Sequence, residues 1–232
     1  MISIIIPAYN EAGHIGQTVR RLRELDEGQH IREIIVADGG SADGTLREAA
    51  AAGARALACP RKGRAAQMNY GASVAAADLL YFLHADSIPP AGFALNILAA
   101  LGQGYSSGCY RLRFDHRHWF LQANAWFTRF DVNAVRFGDQ SLFVTKNVFD
   151  KSGGFREDLL MMEDQEIIHR LKRHSRFVVM KGAVTTSARK YTDNGIYRMQ
   201  VIFFRIWFLY YMGYPQERLL KLYRRWILQG KL

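Results

Sequence analysis

The sequence predicts an α/β fold: a mostly parallel central sheet flanked by helices, with further helices at the C-terminal end. Three observations predict it. Short apolar runs alternate with helix-patterned stretches through roughly the first 100 residues. Most of these runs stop at a Pro, Gly or Asp. Strands alternating with helices join through right-handed crossovers, which lay successive strands parallel in one sheet.

The elements follow in order. Residues 2–6, Ile-Ser-Ile-Ile-Ile, form a buried strand ended by Pro7. A helix is expected over 12–25, a second buried strand over 33–37, and a helix over 43–52. Residues 55–58 make a short third strand before Pro60, and the Ala-rich stretch 65–76 is helical. Residues 79–83 form a fourth buried strand, and 90–101 a helix. The second half is less regular. Strands are expected over 105–114, 141–145, 177–180 and 183–187. Helices are expected over 119–130, 163–173, 194–212 and 216–226. The 163–173 helix is amphipathic, with Ile167, Ile168 and Leu171 on one face. No internal repeat or low-complexity linker divides the chain, and 232 residues suit one large core. One domain is therefore expected over 1–232, comprising 1–101, 102–190 and the helices of 191–232.

Apolar residues are 49% and charged residues 22% of the chain, which excludes disorder. A net charge of +10 favours anionic partners. The surplus concentrates at the end, where residues 189–232 hold nine basic and two acidic side chains. Two cysteines, Cys59 and Cys109, make no disulfide framework, and no metal-binding Cys pair exists. A reducing compartment fits. No signal peptide is read at the N-terminus.

In a sheet of this kind ligands bind beyond the carboxyl ends of the strands. Three strand ends carry acids there: Glu11, Asp38 and Asp86. Locally each also fits a plain role. Asn10 and Glu11 suit a helix cap and dipole partner, and Asp43 a cap. The glycines of Asp38-Gly39-Gly40-Ser41 would let a ligand approach the backbone. Arg61-Lys62-Gly63-Arg64 is a basic turn opening a helix, suited to phosphates. A carboxylate such as Asp86 can hold a hard divalent cation against a diphosphate. Glu163 and Asp164 could supply a base, or simply favour the dipole of their helix. His116 and His118 lack the further ligands a metal needs.

Taken in order, these motifs resemble the family 2 glycosyltransferases of GT-A, Rossmann-like fold. The motifs are Pro7-Ala8-Tyr9-Asn10-Glu11, Asp38-Gly39-Gly40-Ser41-Ala42-Asp43-Gly44-Thr45, the basic turn, the Asp86 strand end and Glu163-Asp164. The resemblance covers roughly the first 190 residues. More narrowly, Arg61 to Ala72, Phe82 to Ser87, Phe137-Gly138-Asp139-Gln140 and Thr186-Ser187-Ala188-Arg189 resemble a bacterial subgroup labelled as arsenosugar-biosynthesis or radical-SAM/selenodomain-associated transferases.

The resemblance implies an inverting hexosyltransferase-type enzyme taking a sugar from a nucleotide-diphosphate donor. Residues 1–101 would then be the nucleotide-binding half and 102–190 the acceptor half. It implies donor contacts at Pro7, Glu11, Asp38, Arg64, Asp86 and Arg189, with Asp38 near a uracil-type base. UDP-sugars are thus the first donors to test. It implies Asp86 as ligand of Mg²⁺ or Mn²⁺, Asp164 as general base with Glu163 beside it, and Asp139 and Gln140 near the acceptor. The acceptor would be a small molecule or a lipid-linked one.

The chain departs from the family pattern. The usual Asp-x-Asp reads His84-Ala85-Asp86, so the first acid is missing. No His follows His174 to complete a metal shell, and Arg189 is the candidate to meet the phosphates instead. Leu222 stands where the Gln-x-x-Arg-Trp of processive members has its Gln, so transfer is expected to be non-processive. No Gly-x-Gly-x-x-Gly or Walker A turn is present, which excludes dehydrogenases and P-loop enzymes. A nucleotidyltransferase on a related core, or a non-catalytic anion- or membrane-binding module, are the alternatives. Residues 196–214 are apolar, aromatic and flanked by basic side chains. They suit a core helix or peripheral contact with the inner face of a membrane. Exposed aromatics there also permit a homodimer. Nucleic acid is not an expected partner, and the cytoplasm is the expected location.

Overall fold

The computed structural model describes residues 1–133, 136 and 138–227. Phe137 of the Phe-Gly-Asp-Gln motif and Lys231 of the basic tail lie outside the described residues.

The chain opens with β1 (Ile2–Ala8), α1 (Ile15–Glu24), β2 (Ile31–Asp38), α2 (Thr45–Ala51), β3 (Arg55–Ala58), α3 (Arg64–Ser73) and β4 (Leu79–Phe82). The four strands are parallel, in the order β3-β2-β1-β4. Alternation along β1 splits the core. Ile4 and Ile6 face α1 and α4 (Phe93–Gly102), whereas Ile5 faces α3. Burying each isoleucine in full is worth about 1.5–3 kcal/mol, so this strand is a strong organiser of the sheet. Helix α1 docks through Ile15, Val19 and Leu22, one face at helical spacing. Its N-terminus is not capped by Asn10. Instead the Glu48 carboxylate of α2 accepts from the N–H groups of Gly13 and Gly16, at 2.6 and 3.0 Å.

The second half adds β5 (Ser87–Ile88), β6 (Ser107–Phe114), α5 (Trp119–Phe127), β7 (Leu142–Thr145), α6 (Lys146–Lys151), α7 (Glu163–His174) and β8 (Phe177–Thr186). The full sheet runs β3-β2-β1-β4-β7-β6-β8-β5. Strand β7 is antiparallel to β4, with Leu142 opposite Phe82. The turn before β7 therefore arrives at the edge where β1, β2 and β4 end. Strand β8 is one strand of ten residues, not the two expected: its pairing with β6 shifts register between Cys109↔Val179 and Arg111↔Ala183, and Gly182 in that irregular stretch packs against Pro90 and Tyr110.

The last helices are α8 (Arg189–Asn194), α9 (Ile196–Tyr211) and α10 (Gln216–Trp226). The helix expected over 194–212 is α9, and a short α8 that was not expected precedes it; Gly195, with a φ of 86°, separates the two. Met199, Ile202, Ile206, Leu219 and Tyr223 form a separate small core that also takes Met161.

Candidate active site

A cavity of about 390 Å³ opens at the carboxyl edge of the parallel strands. Its size suits a small-molecule ligand. Pro7, Ala8 and Glu11 come from the end of β1, Gly39 from the β2 loop, and His84 and Asp86 from the end of β4. Lys62, Gly63 and Arg64 come from the start of α3, Asp139 from the turn before β7, and Arg189 and Lys190 from the start of α8. Leu159, Leu160, Leu220 and Arg224 also line it.

Local folding explains each placement. Gly63 at φ 118° turns the chain so that α3 begins with its N-terminus at the cavity. The buried Gln67 of α3 donates to the carbonyls of Ala8 and Ala37, at 2.6 and 2.8 Å, tying the ends of β1 and β2 together. Two-residue β5 pairs Ser87 with Thr186 of β8, and the Ser187 N–H donates to the Asp86 carbonyl at 3.3 Å. That pairing carries α8, and with it Arg189, to the side of Asp86.

The charged groups form two linked sets. Arg64 Nη1 lies 3.0 Å from Glu163 Oε1 and 3.6 Å from Asp164 Oδ2. His84 Nδ1 lies 2.8 Å from Asp139 Oδ1. Gly138 packs between them: a Cβ there would stand 2.1 Å from Asp164 Oδ2 and 2.8 Å from His84 Cε1. Burial works against the Arg64 charge, yet Glu163, Asp164 and Asp139 hold its pKa above the usual arginine value. Burial also works against the His84 charge, but the hydrogen bond His84 donates to Asp139 raises its pKa. The Asp139 carboxyl is depressed: burial would raise it, and the His84 hydrogen bond and charge outweigh burial. Burial raises the Glu163 carboxyl, against the attraction of Arg64.

Most of the residues expected from the sequence meet here. Pro7, Glu11, Arg64, Asp86, Asp139 and Arg189 all line the cavity. Arg189 stands 4.0 Å from Glu11 and 2.7 Å from His14 Nε2. Asp164 lines a small recess behind His84 and Gly138, and His84 belongs to both spaces. Glu163 is buried, with Arg64 as its partner. Two residues are turned elsewhere. Asp38 is buried and accepts from the N–H groups of Gly40 and Ser41, at 3.0 and 2.9 Å, so its carboxylate folds its own loop. Gln140 is buried and donates to the Tyr110 carbonyl at 3.1 Å, inside the core.

Sequence reasoning passed over Gln67, Lys190 and Arg224. Gln67 lay in the quoted motif after the basic turn. Lys190 and Arg224 had only the basic bias of the tail to signal them.

The chemistry of the residues present bears on a metal. Among the described residues no three His, Cys, Asp or Glu side chains converge as a cage. Asp86 is an exposed carboxylate in the cavity wall. Such a site fits a hard cation that takes one protein oxygen and completes its shell with phosphate and water.

A family model described as Glycosyl transferase family 2 matches residues 3–157. Several solved structures share the fold. S. aureus TarS 1-349 superposes with a TM-score of 0.67 at 14% identity, over 90% of this chain and 65% of that one. The mannosyltransferase PcManGT from Pyrobaculum calidifontis gives 0.70 at 17%, over 87% and 60%. Glucosyl-3-phosphoglycerate synthase from Mycobacterium tuberculosis gives 0.61 at 20%, over 93% and 81%. The chain thus spans less than two thirds of the length of the first two. No curated protein matches it significantly. At these identities the likeness is one of fold, and the fold is the expected GT-A arrangement. With the family model covering more than half of its length, the chain belongs to glycosyl transferase family 2.

Proposed function

We propose that this protein transfers a sugar from a nucleoside-diphosphate donor to an acceptor hydroxyl, with inversion at the sugar carbon. The observation that carries the reading is the cavity itself. Three cations, Lys62 and Arg64 at the start of α3 and Arg189 at the start of α8, share the cavity with an exposed metal-type carboxylate, Asp86, at the ends of parallel strands. A diphosphate needs both kinds of group.

In this reading the N-terminus of α3, Arg64 and Arg189 hold the diphosphate. Glu163 fixes the Arg64 guanidinium from behind. Asp86 would hold Mg²⁺ or Mn²⁺ together with donor oxygens, and the chemistry such a cation supplies is neutralisation of the departing charge. The PcManGT structure was obtained with GDP-Man and Mn²⁺, and a TarS structure with UDP-GlcNAc. Asp164 takes the proton of the acceptor hydroxyl from its recess beside His84. The acceptor oxygen bonds to the sugar carbon while the bond to the diphosphate breaks, and the electron pair leaves with the diphosphate. Asp139, held by His84, orients the acceptor. The wall of Leu159, Leu160 and Leu220 gives the acceptor side an apolar surface. Transfer is single and non-processive. The narrower resemblance to the bacterial arsenosugar-associated subgroup belongs to this proposal too. Uridine remains the first base to test, although Asp38 is engaged with its own loop and Gly39 is the residue at the wall.

Calorimetric titration with UDP, GDP and CDP, each with Mn²⁺ and with EDTA, tests the reading. Metal-dependent binding of one nucleotide is expected. If none binds, the reading gives way to an anion-binding module. Synthesis of a nucleotide-sugar, instead of its consumption, would point to a nucleotidyltransferase.

A further inference from the structure

Helix α9 is apolar on two faces. Met199, Ile202 and Ile206 face the small C-terminal core. Tyr197, Val201, Phe204, Phe208 and Tyr211 recur at spacings of three and four, so they form a second stripe along one side of the helix. This stripe is in solvent: Phe204 is 61% exposed and Phe208 51%. Helix α5 lies alongside. Asn124 donates to Gln200 at 3.0 Å, and the rings of Phe120 and Tyr197 stand 5.0 Å apart. Trp119 and Trp126 of α5 add two more exposed rings, 66% and 46% accessible. A surface of this extent is not the ordinary scatter of apolar side chains on a soluble protein.

The charges carried by α5 and α9 themselves have one sign. Residues 116–130 and 194–216 contain no Asp or Glu. Arg198 and Arg205 fall along the flank of the α9 stripe that borders α10; both are exposed, Arg198 donating to the Trp226 carbonyl at 2.9 Å and Arg205 lying 5.8 Å from the Trp226 ring centroid. Arg129 stacks on Trp126, with its guanidinium carbon 4.4 Å from the ring centroid. Two copies meeting helix to helix on this face would set arginine against arginine, since neither α5 nor α9 carries an acid. An anionic lipid headgroup layer supplies the missing charge, and its interface is where Trp and Tyr rings settle best. No helix among the described residues is long and apolar enough to cross a bilayer. The contact is therefore one that lies on the surface.

We propose that the α5–α9 face docks the protein on an anionic membrane. The same helical unit reaches the cavity, because α10 packs on α9 and gives Leu220 and Arg224 to the wall. Docking does not depend on the transfer reaction, and its test uses no substrate.

The test is co-sedimentation of the full chain with vesicles of phosphatidylcholine alone, or with about one third phosphatidylglycerol, at low and high salt. Binding is expected only to the anionic vesicles and is expected to weaken with salt. Phe204→Glu with Phe208→Glu should lower partitioning by more than ~10-fold. Both side chains are exposed, so an unchanged melting temperature will show that the variant folds. Arg129→Gln with Arg205→Gln should weaken binding to anionic vesicles without altering the apolar stripe. Absence of sedimentation with anionic vesicles overturns the proposal, as does equal binding to both vesicle types. So does a Phe204/Phe208 variant that binds like the parent. A concentration-dependent dimer in light scattering, abolished by that variant, would assign the face to a second copy instead.

Discussion

Asp164 and Glu163 are adjacent in sequence, yet their environments separate their roles. Glu163 is 3% exposed and bonded to Arg64, whereas Asp164 is 18% exposed and opens on the recess beside His84. If Asp164 is the base proposed above, Asp164→Asn should lower kcat by about 10²–10⁴-fold and change nucleotide affinity far less, because Glu163 still holds Arg64 at 3.0 Å. Steady-state kinetics beside calorimetry checks this, and normal turnover would remove Asp164 from the mechanism. The backbone next to the site is constrained. Non-glycine residues with positive φ occur at Asn10, Ser141 and Met162, bordering Glu11, Gln140 and Glu163. Such conformations persist where surrounding structure enforces them. The His84–Asp139 pair gives a pH signature. Burial opposes the His84 charge, but the Asp139 hydrogen bond lifts its pKa above 6.5, so the folded state binds this proton more tightly than the unfolded chain. Its stabilisation is complete below that value and is lost as pH rises through the higher folded-state value. Asp139, depressed, contributes above its ordinary 3.8 and loses its share as pH falls through its folded-state value. Melting temperatures measured from about pH 6 to 9 should fall more steeply for the parent than for His84→Gln. Parallel slopes would show that the pair does not titrate in this way.

The elements carry the site through close packing, and α3 is the clearest case. Its N-terminus delivers Arg64, and its middle rests on β1 at Gly71, where a Cβ would stand 2.5 Å from Ile5 Cγ2. Ile5 is fully buried and β-branched, so it has little room to turn away. Gly71→Val should cost about 1–3 kcal/mol by overpacking and, by tilting α3, weaken nucleotide binding as well. Denaturant unfolding and calorimetry on the same variant check both effects, and lost stability with unchanged affinity would mean that α3 does not set the position of Arg64. Much of this was legible in the sequence where one element decides its own state. The apolar runs 2–6, 33–37 and 79–83 do become strands, although β1 continues through Pro7 to Ala8 and β2 opens earlier, at Ile31. What escaped depends on partners distant in sequence. Two-residue β5 exists because β8 pairs with it, and β8 takes up a register shift against β6 around Lys181-Gly182, where the glycine packs against Pro90 and Tyr110. The same holds at the site. Glu11, Asp86 and Arg64 follow from strand and helix ends. The inward turn of Asp38 and Gln140 follows from hydrogen bonds that no local pattern announces.

At the scale of the molecule, the cavity is shared between unlike parts. Two cores lie on the faces of the sheet, and a third holds α9 and α10. The third is the smallest, and it meets the rest through few specific links. Gln216 Oε1 accepts from the N–H groups of Leu160 and Met161, both at 3.1 Å, and Met161 enters the helical core. A small core joined in this way should open more readily than the sheet, because local stability follows buried apolar contact. Yet Lys190, Leu220 and Arg224 of the C-terminal helices line the same cavity as the Lys62-Gly63-Arg64 turn. A ligand that spans the cavity must therefore stabilise the helices it touches, by an amount set by its concentration relative to Kd. In hydrogen exchange, residues 189–226 should exchange faster than 31–38 and 79–82 in the free protein. Saturating nucleotide with Mn²⁺ should slow exchange in α8, α10 and the start of α3, by about 100-fold where ligand is at 100 times Kd and opening abolishes binding. Protection confined to α3 and the β1 and β2 ends would place the nucleotide wholly on the sheet side. The C-terminal helices would then serve the acceptor, and their protection would await that second substrate.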